Sequence, residues 1–160
     1  MKNKQLFELE KAFEDEVLSQ LPGVKFALVL EKNEEKVKNE VEKLRKVSKP
    51  SEKYIEYEKE RLALCSLHCE KNEDGTPRVN KQSGTFVFTQ DSINGFEEEF
   101  KPITTKYADE IKAQQKKDEE FAAVLEEEAD IELSKINEDN LPEGLTLDHI
   151  RALKPIINME

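Results

Sequence analysis

Cys65, His68 and Cys69 stand at positions i, i+3 and i+4, and therefore on one side of any helix that carries them. Thiolates and imidazole are zinc ligands, but a closed site needs a fourth ligand and a catalytic one needs three plus water. There is no further cysteine, and the other histidine, His149, is far along the chain. Two core thiols beside a helix-end histidine are the preferred reading, and a small metal-dependent enzyme is the weakest of three functional classes. A second constellation, Glu70, Asn72, Asp74 and Gly75, matches the first, third, fifth and sixth positions of a calcium loop. Its twelfth position is Lys81, where a bidentate glutamate is required, and Pro77 sits at the eighth, so a plain turn is expected. The carboxylate runs Glu97, Glu98, Glu99 and Glu126, Glu127, Glu128 point consecutive side chains to different faces of a helix, which is poor geometry for acid/base work. No nucleophile elbow, phosphate-cradling glycine loop or dinucleotide fingerprint occurs. The sequence thus assigns no catalytic, cofactor-binding or metal-ligating residue and no cofactor; a protein that is not an enzyme is expected.

The strongest signal is electrostatic. Between residues 119 and 148, eleven acidic residues face the single Lys135, so this segment carries −10 of a formal net charge of −11. Such a concentration repels nucleic-acid phosphates and attracts a basic partner through a screened field. Glu126, Glu127, Glu128, Asp130 and Glu132 are the residues expected to bind a protein partner, with no direct contact to nucleic acid. Asn33 is the one polar residue on an otherwise apolar helical stripe, and it is expected to set that helix's register.

The elements that must position these groups follow from periodicity. A first helix is expected over 4–19, with Leu6, Leu9, Phe13 and Val17 on one face, stopped by Leu21-Pro22-Gly23. A long helix follows to about residue 47, with the stripe Phe26, Leu30, Asn33, Val37, Val41 and Leu44. After Ser48-Lys49-Pro50-Ser51 the next helix, 51–68, buries Ile55, Leu62, Cys65 and Cys69; so short a connection implies an antiparallel hairpin. Strands are expected at 76–79 and 85–89, with a third at 130–134, where apolar residues alternate. Between them Asp91 or Ser92 caps a helix with the stripe Ile93, Phe96, Phe100, Ile103, Tyr107 and Ile111, kinked or divided at Pro102. Thr146 caps a last short helix, and Ile156 and Ile157 dock on the core.

The 160 residues fit a single domain, with a helical hairpin region over 1–70 and a small sheet, helices and the acidic third over 71–160. With 38% charged residues, five glycines and no tryptophan, long exposed helices are implied. The fold class is α+β and predominantly helical: the long antiparallel hairpin, a two- or three-stranded antiparallel sheet, and further helices. The N-terminal segment lacks a signal-peptide core, and the longest apolar stretch, 26–30, is too short to span a bilayer. Two cysteines four apart make no disulfide framework, so a reducing, cytoplasmic setting is expected.

The order of these parts resembles small bacteriophage-encoded families of unknown function. The similar elements are the Lys-rich hairpin, Lys71-Asn72-Glu73-Asp74-Gly75-Thr76-Pro77, Gly84-Thr85-Phe86-Val87-Phe88, an acidic helix, and Leu141-Pro142-Glu143-Gly144-Leu145-Thr146 before a short helix. The resemblance covers most of the chain; it implies a phage or prophage origin and brings no catalytic residue. Together with the charge pattern it points to a non-enzymatic protein-interaction module, a phage assembly or virion-associated component. Such a protein self-associates or binds a protein partner in the host cytoplasm or virion, away from membranes. The alternative is an acidic inhibitor that blocks a basic nucleic-acid-binding surface of a host protein.

Overall fold

Leu6, Leu9 and Ala12 recur at helical spacing and form the buried face of α1 (Lys4–Phe13). Asp15 then starts a separate helix, α2 (Glu16–Ser19), by accepting a 2.8 Å hydrogen bond from Val17 N. The break turns Leu18 into the core and leaves Val17 57% exposed, so the single helix expected over 4–19 is corrected to two. Gly23, at φ 127°, makes a turn that a side chain would strain, and α3 (Val24–Ser48) follows. Phe26, Asn33, Val37 and Val41 are buried along α3, with Leu30 and Leu44 packed at the margins, which is the stripe read from the spacing.

The computed structural model describes residues 1–158, and their packing forms two units. The first joins residues 1–49 to the chain from Glu119 onward; the second is Pro50–Asp118. The boundary expected at residue 70 falls inside the second unit. Within the first unit α3 packs on α1, and within the second α4 (Glu52–His68) packs on α5 (Gln90–Lys106). A short connection permits an antiparallel pair, but each apolar stripe here is covered by another helix.

In the first unit α1 and α3 enclose Leu6, Leu9, Leu18, Phe26, Val37 and Val41. α6 (Ala108–Glu126) ends in this unit, and the chain then runs through 127–135 into β1 (Ile136–Asn137). β1 pairs with β2 (Ile157–Asn158) in parallel, Ile136 opposite Ile157. The expected antiparallel sheet is therefore corrected to a parallel one. Parallel pairing needs a crossover, supplied here by two 3₁₀ turns and α7 (Leu147–Leu153). Thr146 caps α7 by accepting from His149 N, and Ile156 and Ile157 are buried, both as the sequence suggested; Leu153 is buried with them.

In the second unit α4 buries Tyr57, Leu64 and Cys65, with Cys69 at its C-cap. Leu62 is 44% exposed and Ile55 half-buried, so the expected register of α4 is corrected toward Tyr57 and Leu64. Aromatic contacts select that register: the Tyr57 ring lies 5.8 Å from Tyr107 and 6.3 Å from Phe100. Thr89, rather than Asp91 or Ser92, caps α5, and Ser92 returns a bond from the third helical position. Pro102 stays inside α5, and the division falls at Tyr107 instead. The strands expected at 76–79 and 85–89 are reduced to isolated antiparallel bridges, Lys71 to Pro77 and Val79 to Phe86. Residues 130–134 belong to the other unit and form no strand beside them.

Candidate functional site

Of the acidic residues singled out by sequence, Glu126 ends α6, and Glu127, Glu128, Asp130 and Glu132 lie on an extended strap that follows it across the first unit. Its start is tied to the N-terminal residues: Asn3 N donates to the Glu127 carbonyl (3.0 Å), Ala129 N donates to the Met1 carbonyl (2.7 Å), and Lys2 bridges Glu128 in antiparallel fashion. Ile131 and Leu133 then turn inward to pack on the core, while Asp130 and Glu132 face out. The period-two alternation was therefore real, although no sheet uses it.

The far end of the strap is held by Asn33, which is 0% exposed. Its Nδ2 donates to the Ser134 carbonyl (2.9 Å) and its Oδ1 accepts from Ser134 N (2.8 Å). The amide thus pairs with a peptide group as a neighbouring strand would. One turn along α3, Lys36 Nζ donates to the Glu132 carbonyl (2.9 Å). A polar residue amid an apolar stripe is the signal that could have located this contact; its partner, about a hundred residues away, had none.

The charges of the strap are partly neutralised within the chain. Glu126 accepts from Lys2 Nζ (2.6 Å) and Lys4 Nζ (2.7 Å), which hold its carboxyl down at about 2; hydrogen bonding to the two ammonium groups contributes most. Glu128 accepts from the Met1 amine (2.7 Å), which lowers its pKa as well. Glu127, Asp130 and Glu132 are exposed and have no cationic partner among the described residues. Of the five carboxylates expected to bind a partner, Glu126 and Glu128 are thus ion-paired within the chain, while Glu127, Asp130 and Glu132 are not. The remaining acids are dispersed: Glu138 and Asp139 line a separate recess with Asn158, and Asp148 pairs with Arg151 at 3.2 Å.

Cys65 and Cys69 are buried, and burial pushes the Cys65 thiol up. Cys69 Sγ donates to the Ser66 carbonyl at 3.5 Å. His68 packs edge-on to Phe96, and its Nε2 lies 3.3 Å from Glu99 Oε1 without hydrogen-bond geometry. Among the described residues no three His, Cys, Asp or Glu side chains gather closely enough to hold a metal ion. The calcium-like residues form a turn: Glu70 pairs with Arg78 at 2.6 Å, and Asp74 Oδ1 accepts from both Thr76 Oγ1 (2.6 Å) and Thr76 N (3.0 Å), which lowers the Asp74 pKa.

One histidine–carboxylate pair escaped the sequence reading. His149 Nε2 lies 3.2 Å from Asp15 Oδ2 beside a cleft of about 360 Å³ that Lys11 and Arg151 also line. Thr146 N donates to His149 Nδ1 (3.3 Å), which leaves the ring proton on Nε2, directed at Asp15. Asp15 is held below the usual carboxylate range, first by Val17 N and then by His149. Both ring nitrogens are occupied by structural bonds, so the pair staples the cap of α2 to the cap of α7 and presents no free base. The two stand 134 positions apart, and the sequence contained no sign of the pairing.

No family model, no curated protein and no solved structure matches this chain. Its geometry therefore stands without analogy. No helix among the described residues is long and apolar enough to cross a membrane.

Proposed function

We propose that the chain is a non-enzymatic protein-interaction module, a phage assembly or virion-associated component whose contact surface is the strap over residues 126–136. The observation that carries this reading is the set of three unpaired carboxylates, Glu127, Asp130 and Glu132, on a segment tied down at both ends. A strap already ordered loses little conformational freedom on binding, and exposed charges steer a basic protein surface toward it. The occupant is such a surface on a partner protein or on a second copy of the chain. The phage origin rests on the motif order alone. Blocking a nucleic-acid-binding groove would call for a denser acidic face, and the internal pairing of Glu126 and Glu128 argues against that alternative.

Sedimentation equilibrium and affinity capture from phage-infected cells test the proposal, comparing the wild type with Glu127→Gln/Asp130→Asn/Glu132→Gln. A defined oligomer or a discrete captured protein is expected, weakened by added salt and by the triple substitution. A monomer that captures the same proteins as the variant at low salt would remove the strap from any interaction role.

A further inference from the structure

In a chain with 36 acidic and 25 basic residues, a cleft of the first unit has no carboxylate in its lining. It is an open groove of about 350 Å³ in the first unit, between the N-terminal half of α3 and the segment leading through β1. Lys25, Leu28 and Lys32 of α3 form its one wall, at positions i, i+3 and i+7 and so on one face. The two lysines stand about 10 Å apart along the axis, close enough to reach one ligand between them. Lys135, the one base among residues 119–148, lines the opposite side with Asn137 and Asn140, and Ile136 beside it is buried.

The cations of this cleft are available. Lys25 and Lys32 are exposed and have no ion-pair partner among the described residues. The Lys135 ammonium donates to the Pro155 carbonyl, which orients it and leaves further protons for a ligand. Asn137 Oδ1 accepts from Asn158 Nδ2 (3.0 Å), which leaves the Asn137 amide protons free to donate. The next acids, Glu138 and Asp139, line the neighbouring recess instead.

We infer that this cleft binds a small organic phosphate, a phosphate ester carried on a compact apolar or aromatic body. Three ammonium groups exceed what one carboxylate balances, whereas a phosphate monoester brings about −1.5 to −2 charges and three acceptor oxygens. The ammonium is a point-charge phosphate binder, and the amides supply orienting donors. The volume suits a small molecule, and exposed Leu28 gives its apolar part a surface to cover. The site takes in Lys135 and Ile136 at the end of the strap but none of Glu127, Asp130 and Glu132, so its test is read separately from the contacts of those carboxylates.

Titration of the full chain with 1-naphthyl phosphate, followed by amide chemical shifts, tests the inference. Inorganic phosphate and 1-naphthol supply the two halves of the probe separately. Saturable shifts centred on Lys25, Lys32 and Ile136 are expected, with tighter binding of the ester than of either half. Lys25→Gln/Lys32→Gln should weaken binding by about tenfold or more, equivalent to about 1.4 kcal/mol, with an unchanged melting temperature. Lys25→Arg/Lys32→Arg should retain binding. Absence of saturable shifts at these residues, equal affinity in the Gln variant, or tighter binding of a single-stranded oligonucleotide than of the ester would overturn the assignment.

Discussion

Replacing Asn33 by leucine removes the two hydrogen bonds that hold Ser134 while conserving most of the side-chain volume. The bonds are 2.9 and 2.8 Å long, and the amide is wholly buried on the core stripe of α3. Each such bond contributes about 0.5–1.5 kcal/mol net, and a buried peptide group left without a partner costs about 1–3 kcal/mol. Ser134 is only half-buried, so part of that penalty is relieved if the strap lifts toward water. The expected loss is about 2–4 kcal/mol, read as a lower urea midpoint at nearly unchanged slope. Hydrogen exchange supplies the local readout, since protection of the Ser134 amide should fall more than that of the α3 core. Asn33→Asp retains an acceptor for Ser134 N but turns a second carboxylate oxygen toward the Ser134 carbonyl in a buried site. It should be at least as damaging at neutral pH and recover partly in acid, where a protonated carboxyl donates again. If Asn33→Leu unfolds at the wild-type midpoint and Ser134 stays protected, the amide does not hold the strap.

Three further expectations follow from the same contacts. The Glu126 carboxyl should titrate near 2 by carbon NMR; because its folded value lies below the ordinary 4.5, the ion pairs help the fold above that pH and lose their contribution as pH falls toward 2. Lys2→Gln/Lys4→Gln should return the midpoint toward 4.5, and a wild-type midpoint already there would disprove the pairing. Leu64→Ala should cost about 2–3 kcal/mol and Leu62→Ala less than about 1 kcal/mol, a contrast that thermal unfolding of the two variants checks. Cys65, buried with its thiol pushed up, should react with a disulfide reagent far more slowly in the native than in the urea-unfolded protein. Equal rates would place the thiol at the surface.

The sequence by itself determined the stripes. Phe26, Val37 and Val41 on α3, the alternation of Ile131 and Leu133, the Thr146 cap and the docking of Ile156 and Ile157 were all legible, because helix and strand periodicity are local properties of the backbone. What covers each stripe was not legible. α1 covers α3, Leu64 rather than Leu62 is buried on α4, and the alternating strap finds a side-chain amide in place of a third strand. The pairing of charges was not legible for the same reason: a run of acids in sequence says nothing of Lys2 and Lys4, which reach Glu126 from more than a hundred residues away. Several partners compete for every apolar face and every carboxylate, at similar energies. Only the packing of the whole unit, in which the buried groups must be satisfied together, selects among them.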